Sequence, residues 1–506
     1  MSDDHAAETA NADIRHLAGG GGIYMAGQLA GRAIGFVLEP VFSRCLGAAD
    51  YGLYAIGIAC LGGLQPLASV GMPNAVQRAI SINDSKGDLA ASRAAMRVGG
   101  RAAALSATLI AVLLIIFADV IAGSVLHKPE LAPLLRVMAF GLPLTTLGAV
   151  ISEAALARRT TWPKVIGQLT MQLAGIGIFL VLWTAGSAAM GAAWSYAGKA
   201  GVAVGVIWLL SRRALNRGEA NHGRSAVGLM GLLVFGFPLM LTWLAEFGLR
   251  QASVVVVGAH ATAVDAGILR AALIVSLVGE MPLTALSQLF SPMIASLHAQ
   301  GARERLGKLY GTAARWSLTG ALPLMLFAGA QREGVLGVFG QEYRAGAAVL
   351  LLLCLGRAFS ASTGSVGWLL IMSGRPWVNL TLNAVFATIN ISLCWVLLPR
   401  HGVVAAAAAI SGAMVGVNLA RLCAVWTLMR VQPYSLATLK PIIVSVALSV
   451  PLWIWPITGT LWLVLAGAAY VSASIAACAA FGLQDDDRLV LDAVRRRLNR
   501  QRGKDV

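Results

Sequence analysis

The sequence contains few charged residues. Asp, Glu, Lys and Arg together make up 12% of the 506 residues, about half of the ~25% that is typical of soluble domains. This deficit argues against a water-soluble fold, and the 58% of hydrophobic residues excludes a disordered chain, which would be polar and self-repelling. The class that remains is a polytopic membrane protein, in which the 56 glycines suit closely packed helices.

Motifs of common metal, redox and hydrolytic sites are also lacking. The six cysteines lie far apart, mostly within apolar segments, and form no Cys-x-x-Cys pair, so they predict neither a disulfide framework nor a metal site. The sequence has no HExxH, GxSxG or P-loop motif, which argues against an enzyme and against transport driven by ATP. No cofactor is therefore expected, apart from H⁺ or Na⁺ as a coupling ion.

The basic residues are not gathered into one surface. The net charge of +16 is spread over short loops between apolar runs, which argues against nucleic-acid binding. The acidic, polar N-terminus lacks the positive region of a cleaved signal peptide, so the first apolar segment is predicted to remain as a membrane span.

Long apolar runs recur along the whole chain. A helix needs roughly 20 apolar residues to cross a bilayer core, and loops between the runs are too short for an inserted soluble domain. The sequence predicts an all-α integral membrane protein with fourteen spans, at about 20–40, 52–72, 102–123, 132–152, 164–184, 187–210, 227–249, 264–290, 313–331, 345–371, 377–398, 402–427, 439–457 and 461–483.

The distribution of Lys and Arg predicts the orientation of these spans. With a cytoplasmic N-terminus, 27 of the 39 basic residues fall on the cytoplasmic side, and six fall outside. Both termini are thus predicted to be cytoplasmic. The last residues, 485–506, have acids first and bases later, with apolar residues at helical spacing, and predict a basic amphipathic helix on the inner leaflet.

The two halves of the chain resemble each other. Asp50 and Asp265 are 215 residues apart, Pro66 and Pro282 are 216 apart, and the loop glycines Gly87 and Gly301 are 214 apart. Two parallel six-helix bundles are typical of alternating-access transporters. The predicted organisation is a cytoplasmic tail at 1–17, an N-lobe at 18–211, an interlobe loop at 212–226, a C-lobe at 227–427, accessory spans at 428–484 and the basic tail at 485–506.

Several motifs resemble those of one transporter family. Arg44–Tyr54, followed by Gly71-Met72-Pro73, resembles the first two helices of Wzx-type polysaccharide flippases. Phe339–Tyr343 is similar to that family's ninth-to-tenth-helix junction, and Gly374-Arg375-Pro376 with Leu398–Ala407 is similar to its eleventh and twelfth helices. The motifs occur in the family's order over essentially the whole chain, which identifies the sequence as a member of the oligosaccharide-flippase branch of the multidrug/oligosaccharidyl-lipid/polysaccharide (MOP) superfamily.

The resemblance implies a fold and an activity. It implies two lobes in a V-shaped arrangement around a cationic cavity, in the bacterial inner membrane. It also implies ion-coupled export of polyprenyl-diphosphate-linked oligosaccharides to the outer leaflet for exopolysaccharide, O-antigen or capsule assembly. A polysaccharide polymerase and a chain-length regulator would be partners, together with membrane lipid. One departure is Ala405-Ala406-Ala407 in place of the family's Gly-Ala-Ala.

Basic residues within the spans are candidates for binding the diphosphate. A charge within a span costs at least ~2.5–3.5 kcal/mol, so such a residue faces a cavity or a partner, and guanidinium groups bind phosphate oxygens bidentately. Arg421, near a cytoplasmic helix end, is instead expected to be an interfacial anchor. The substrate-binding candidates are Arg32, Lys199, Arg250, Arg270 and Arg357.

Acidic residues in the spans are candidates for ion coupling, namely Glu39, Glu246 and Glu280. Each has a structural alternative. Glu246 and Arg250, at i and i+4, either neutralise each other or serve phosphate and proton separately. Arg32 either faces the cavity or pairs with Glu39, and Lys199 and Arg357 either face the cavity or pair between helices. Glu280, next to Pro282, is either a coupling site or a partner of a helix kink.

Two other functions compete with that of a flippase. An integral-membrane polymerase of the same lipid-linked sugars would need a large outer loop or a catalytic domain, whereas the longest outer loops, near 124–131 and 332–344, have about a dozen residues. A drug or cation antiporter of the same superfamily would carry mainly acids in its cavity, but here the bases outnumber them.

Overall fold

The structure, a computed structural model, describes residues 2–215 and 228–480, without the side chains of residues 2–26, 28, 29, 32, 288, 289 and 292. Most of the predicted interlobe loop and the predicted basic tail at 485–506 lie outside these residues. The described chain is helical almost throughout and contains no strand, which confirms the all-α prediction.

The chain divides into two compact units, Met1–Gly267 and Ile268–Val506. The boundary falls within one helix, α10 (Ala263–Leu277). The first unit contains α1 (Ser2–Ser69), α2 (Met72–Ser85), α3 (Leu89–Ile116), α4 (Leu131–Ala139), α5 (Gly141–Ala157), α6 (Trp162–Thr184), α7 (Ala188–Leu215), α8 (Leu229–Arg250) and α9 (Ala252–His260).

The second unit continues from α10 with nine helices in its described part. Short 3₁₀ turns precede two of them, at Gln341–Gly346 and Leu436–Thr438. These nine helices are α11 (Glu280–Ala299), α12 (Arg303–Ala330), α13 (Arg332–Gly337), α14 (Ala347–Ser362), α15 (Val366–Met372), α16 (Pro376–His401), α17 (Val403–Met429), α18 (Leu439–Ile454) and α19 (Thr460–Ala480).

Eleven helical segments in the described residues are long and apolar enough to cross a membrane, or twelve if the bent pair α10–α11 forms one span. The predicted number of fourteen is not confirmed. The first two predicted spans lie within α1, on either side of a break at Gly47. The predicted span at 313–331 lies in α12, where Arg315 interrupts the apolar run. The predicted outer loop at 332–344 also differs, because it contains α13.

Three helix breaks lie at or beside glycine, and two of them require its conformational freedom. Gly47 interrupts α1 with φ of 74°, and Gly364 separates α14 from α15 with φ of 60°. Other residues rarely adopt such angles. The α10–α11 pair is bent by 47° at Val278–Gly279, directly before Glu280. The structure therefore breaks the predicted span at 345–371 and bends the one at 264–290.

The segments that repeat in the sequence contact each other through backbone atoms. A methyl group added to Gly267 would lie 2.8 Å from the carbonyl oxygen of Ala48, and one added to Gly52 would overlap the carbonyl oxygen of Ala263. Ala48 and Ala263 are 215 positions apart, as are Gly52 and Gly267. This spacing agrees with the offset of the repeat.

Candidate transport site

Two charged candidates of the first unit form an ion pair on α8. The guanidinium Nε of Arg250 lies 3.0 Å from Oε1 of Glu246, and the side chains are 36% and 35% exposed. The i,i+4 spacing with Glu first is the favourable order on a helix. The pair is therefore only partly buried, and its two charges offset each other.

The same face of α8 packs on α1. The ring of Phe247 lies within 2.9 Å of the position that a Cβ on Gly63 would occupy, and 3.4 Å from the equivalent position on Gly62. Side chains larger than glycine would therefore push Phe247, and the Glu246–Arg250 pair beside it, away from α1.

A neutral polar group joins α1 to α5 in the same unit. The amide of Gln65 accepts a hydrogen bond from the hydroxyl of Thr145 and donates one to that of Thr146, each 3.1 Å long. Nothing in the sequence distinguishes these residues, because single Gln and Thr residues in a span are also common as links between helices.

The remaining candidates of this unit lie on α1 and α7. The carboxylate of Glu39 accepts a hydrogen bond of 2.8 Å from the hydroxyl of Tyr51. Lys199 is half-buried on α7, with Nζ 5.2 Å from the centre of the Tyr196 ring. The side chain of Arg32 is not among those described, but the flanking Gly31 packs against Gln168 of α6.

In the second unit, Arg357 and Glu280 form a buried ion pair. Their side chains, on α14 and α11, are 3% and 19% exposed. Glu280 is the first residue of α11, next to the bend that separates it from α10. The pair therefore connects the bend to α14.

The start of α11 is packed tightly around this pair. A methyl group on Gly279 would lie 2.7 Å from the sulfur of Met325, and one on Gly320 would lie 2.9 Å from Pro282. Arg270, the other basic candidate of this unit, is half-buried on α10, ten residues before Glu280.

Arg421 lies in a cluster of buried asparagines, here called the amide cluster (Asn379, Asn383, Asn418 and Arg421). Its guanidinium donates hydrogen bonds to Oδ1 of Asn383, at 2.6 Å, and to Oδ1 of Asn418, at 3.2 Å. Asn379, Asn383 and Asn418 are all at most 5% exposed. Arg421 is therefore held in place by two asparagines, and its expected anchoring at the membrane surface stays a prediction.

The amide cluster lies next to the break between α14 and α15. Asn418 donates a hydrogen bond of 3.2 Å to Ser360 of α14, and Oδ1 of Asn379 lies 3.3 Å from where a Cβ on Gly367 of α15 would be. Interrupted helices at membrane depth are tolerated where the backbone is buried in protein or lines a cavity. Asn379 and Asn383 are one helical turn apart on α16, whereas Asn418 and Arg421 of α17 join them only through tertiary packing.

The charged groups of the described residues suit the binding of anions better than that of metals. No group of three or more His, Cys, Asp or Glu in the described part of the chain could hold a metal ion. Arg250, Arg270, Arg357 and Arg421, by contrast, each place a guanidinium within or at the end of an apolar helix. Such groups bind oxyanions through paired hydrogen bonds.

The family was identified by comparison with family models. The model described as polysaccharide biosynthesis protein matches residues 17–298, more than half of the chain. A comparison with curated proteins gave no significant match.

Solved structures share the fold over most of the chain. The lipid II flippase MurJ, in an inward closed conformation, superposes with a TM-score of 0.69 at 14% identity, covering 91% of this chain and 98% of its own. An inward-facing multidrug resistance MATE family transporter superposes with a TM-score of 0.64 at 15% identity, covering 79% of this chain and 94% of its own. A MOP superfamily transporter from Pyrococcus furiosus superposes with a TM-score of 0.57 at 15% identity, covering 81% of this chain and 94% of its own.

These neighbours are a flippase and transporters rather than enzymes, and their fold agrees with the motifs in the sequence. The chain is accordingly a multi-pass membrane protein with the fold of the MOP superfamily, and it belongs to the polysaccharide biosynthesis protein family.

Proposed function

We propose that the protein flips polyprenyl-diphosphate-linked oligosaccharides from the inner to the outer leaflet of the bacterial inner membrane, with both termini in the cytoplasm. The observation that carries this proposal is the family match to polysaccharide biosynthesis proteins, together with a fold that MurJ, a lipid II flippase, shares over 91% of the chain. The transported units would serve the assembly of exopolysaccharide, O-antigen or capsule, in concert with a polymerase and a chain-length regulator.

Arginines and a lysine in the spans would bind the substrate's diphosphate. Moving two or more negative charges through hydrocarbon unaided is prohibitive, and guanidinium groups lower that barrier. Arg32, Arg250, Arg270, Arg357 and Lys199 are the proposed binding residues, and Arg421 is added because Asn383 and Asn418 hold its guanidinium in a fixed position.

Coupling to H⁺ or Na⁺ would use the acids that contact these bases. Glu280 holds Arg357 and Glu246 holds Arg250, so neutralising either acid would release a guanidinium for the substrate. Glu39, hydrogen-bonded to Tyr51, is a third candidate. If Glu246→Gln and Glu280→Gln both left gradient-dependent flipping intact, these two acids would have no part in coupling.

A deletion strain tests the proposed substrate directly. Mass spectrometry of its lipid extract would identify accumulated polyprenyl-diphosphate oligosaccharide, and an impermeant sugar-modifying reagent would report the leaflet. Complete repeat units confined to the inner leaflet are the expected result. Complete units that reach the outer leaflet but stay unpolymerised would instead indicate a polymerase.

The same strain, complemented with variants, tests the binding residues. The Arg32→Ala/Arg270→Ala double variant should fail to restore export, whereas Arg400→Ala, at the predicted outer end of α16, should restore it. Full activity of the double variant would contradict the role of these bases.

A drug or cation antiporter is the second candidate, since a MATE family transporter shares the fold over 79% of the chain. An unchanged lipid profile in the deletion strain, together with increased sensitivity to cationic drugs, would favour it.

A further inference from the structure

A cleft of about 590 Å³ lies in the first unit, where α2, α5 and α7 end. Its walls carry both charges and hydroxyl groups. It is lined by Ser81, Asp84, Ser85, Arg158, Arg159 and Ala214, among others.

One wall of the cleft is a fixed clamp. Nε of Arg158 lies 3.1 Å from Oδ2 of Asp84, and its Nη1 donates to the carbonyl oxygens of Ala214 and Leu215 at 2.8 and 2.6 Å. The other carboxylate oxygen of Asp84 accepts a hydrogen bond of 2.6 Å from Ser92. With Arg158 only 9% exposed, this clamp joins the ends of three helices and keeps the cleft open in a defined shape.

The other wall presents groups to solvent. Arg159 is exposed, and its φ of 59° lies in the left-handed region that non-glycine residues rarely adopt. Ser81 and Ser85 are exposed on α2 on the same side of the cleft. Since Arg158 offsets the charge of Asp84, the cleft combines an exposed cation with hydroxyl groups.

The surroundings match the depth of lipid headgroups. Trp162 begins α6 three residues after Arg159 and is 53% exposed, and tryptophan is enriched at membrane–water interfaces. Lys86, Arg212 and Arg213 add exposed positive charge at the same helix ends. Basic pockets between helices on the cytoplasmic side are the places where anionic headgroups bind.

We propose that this cleft binds a phosphate ester that carries hydroxyl groups, namely the headgroup of an anionic phospholipid such as phosphatidylglycerol. Arg159 would hold the phosphate, and the hydroxyl of Ser81 would bond to a glycerol oxygen. The hydroxyl of Ser85 donates to the carbonyl oxygen of Ile82 at 2.7 Å and would accept a hydrogen bond from a glycerol hydroxyl. The volume falls in the range of about 300–1,000 Å³ of small-molecule pockets and exceeds what a phosphate alone would fill. The inference rests on the proposed cytoplasmic orientation of these helix ends and is otherwise independent of the flipped substrate.

Native mass spectrometry of the full chain in detergent tests the site. Phosphatidylglycerol should bind in preference to phosphatidylcholine, and Arg159→Gln should weaken its binding about tenfold or more, as expected for a charge-assisted hydrogen bond. Arg213→Gln removes an equal charge at the same membrane face but outside the cleft, and should leave binding within about twofold, because an exposed, screened charge contributes little. The thermal midpoint of both variants, measured without lipid, separates a loss of folding from a loss of binding.

Soluble glycerol phosphate separates the two sources of this chemistry. If glycerol phosphate binds as tightly as the lipid and this binding is lost in Arg159→Gln, the ligand is a free phosphate ester. If only the lipid binds, the ligand is a membrane headgroup. Equal binding of phosphatidylcholine, or equal losses in the two variants, would overturn the proposal. Because this assay contains no oligosaccharide, its failure would leave the proposed flipping untouched.

Discussion

Removing either partner of the Arg357–Glu280 pair should destabilise the protein strongly. Breaking a buried ion pair from one side costs about 3–5 kcal/mol, because the other charge remains buried. Arg357 is 3% exposed and Glu280 is 19% exposed, so Glu280→Gln, which leaves the guanidinium without its carboxylate, should cost more than Arg357→Met. The double variant Glu280→Leu/Arg357→Met should change the stability far less, with an effect between neutral and stabilising by about 1–4 kcal/mol.

Equilibrium unfolding of the purified full chain in mixed micelles, followed by tryptophan fluorescence, measures this double-mutant cycle. Glu246→Gln on α8 is the matched control, because its pair is 35–36% exposed and should contribute less than about 1 kcal/mol. Single variants that each cost under ~1 kcal/mol, with effects that simply add in the double variant, would refute the reasoning.

Three further changes test other contacts. Arg158→Met should cost about 3–5 kcal/mol in the same unfolding assay, because it leaves a partly buried carboxylate without its cation; a loss below ~1 kcal/mol would show that the clamp is dispensable. Lys128 lies in the connection between α3 and α4, where burial lowers its pKa below 10.5. The unfolded chain therefore binds more protons just below pH 10.5, and the wild type should gain stability over Lys128→Met as the pH rises through this window. An unchanged difference in stability across alkaline melts would contradict this. Gly52→Ala should cost about 1–3 kcal/mol, because its methyl group would overlap the carbonyl oxygen of Ala263. Gly177→Ala on α6, where nothing lies within 4 Å, should be neutral or stabilising, and equal effects of the two glycine variants would argue against the close approach.

The helical class followed from the sequence because apolar runs of membrane-spanning length have few alternative structures. The breaks within the helices did not follow in the same way. Gly364 and Gly47 adopt left-handed φ values, yet many other glycines of this chain lie in regular helix, so composition does not distinguish them. The α10–α11 bend at Gly279 depends on contacts with α12, which only the tertiary structure provides.

The charged residues were found from the sequence more easily than their partners. Local spacing sufficed for Glu246 and Arg250, since residues four apart meet on one helix face. Arg357 and Glu280 lie 77 positions apart, and the separation does not indicate which acid meets which base. The hydrogen bond from Arg421 to Asn383, 38 positions earlier in the chain, was likewise not indicated by local spacing.

The contacts of Gly52 and Gly267 have the reciprocal form of an isologous interface. Gly52 meets Ala263 and Gly267 meets Ala48, and the offset of 215 exchanges the two contacts. Two identical subunits related by a two-fold axis produce this pattern when residue i of one contacts residue j of the other. The same contact is thus made twice within one chain. A substitution at either glycine therefore disturbs one of two equivalent contacts and leaves the other in place.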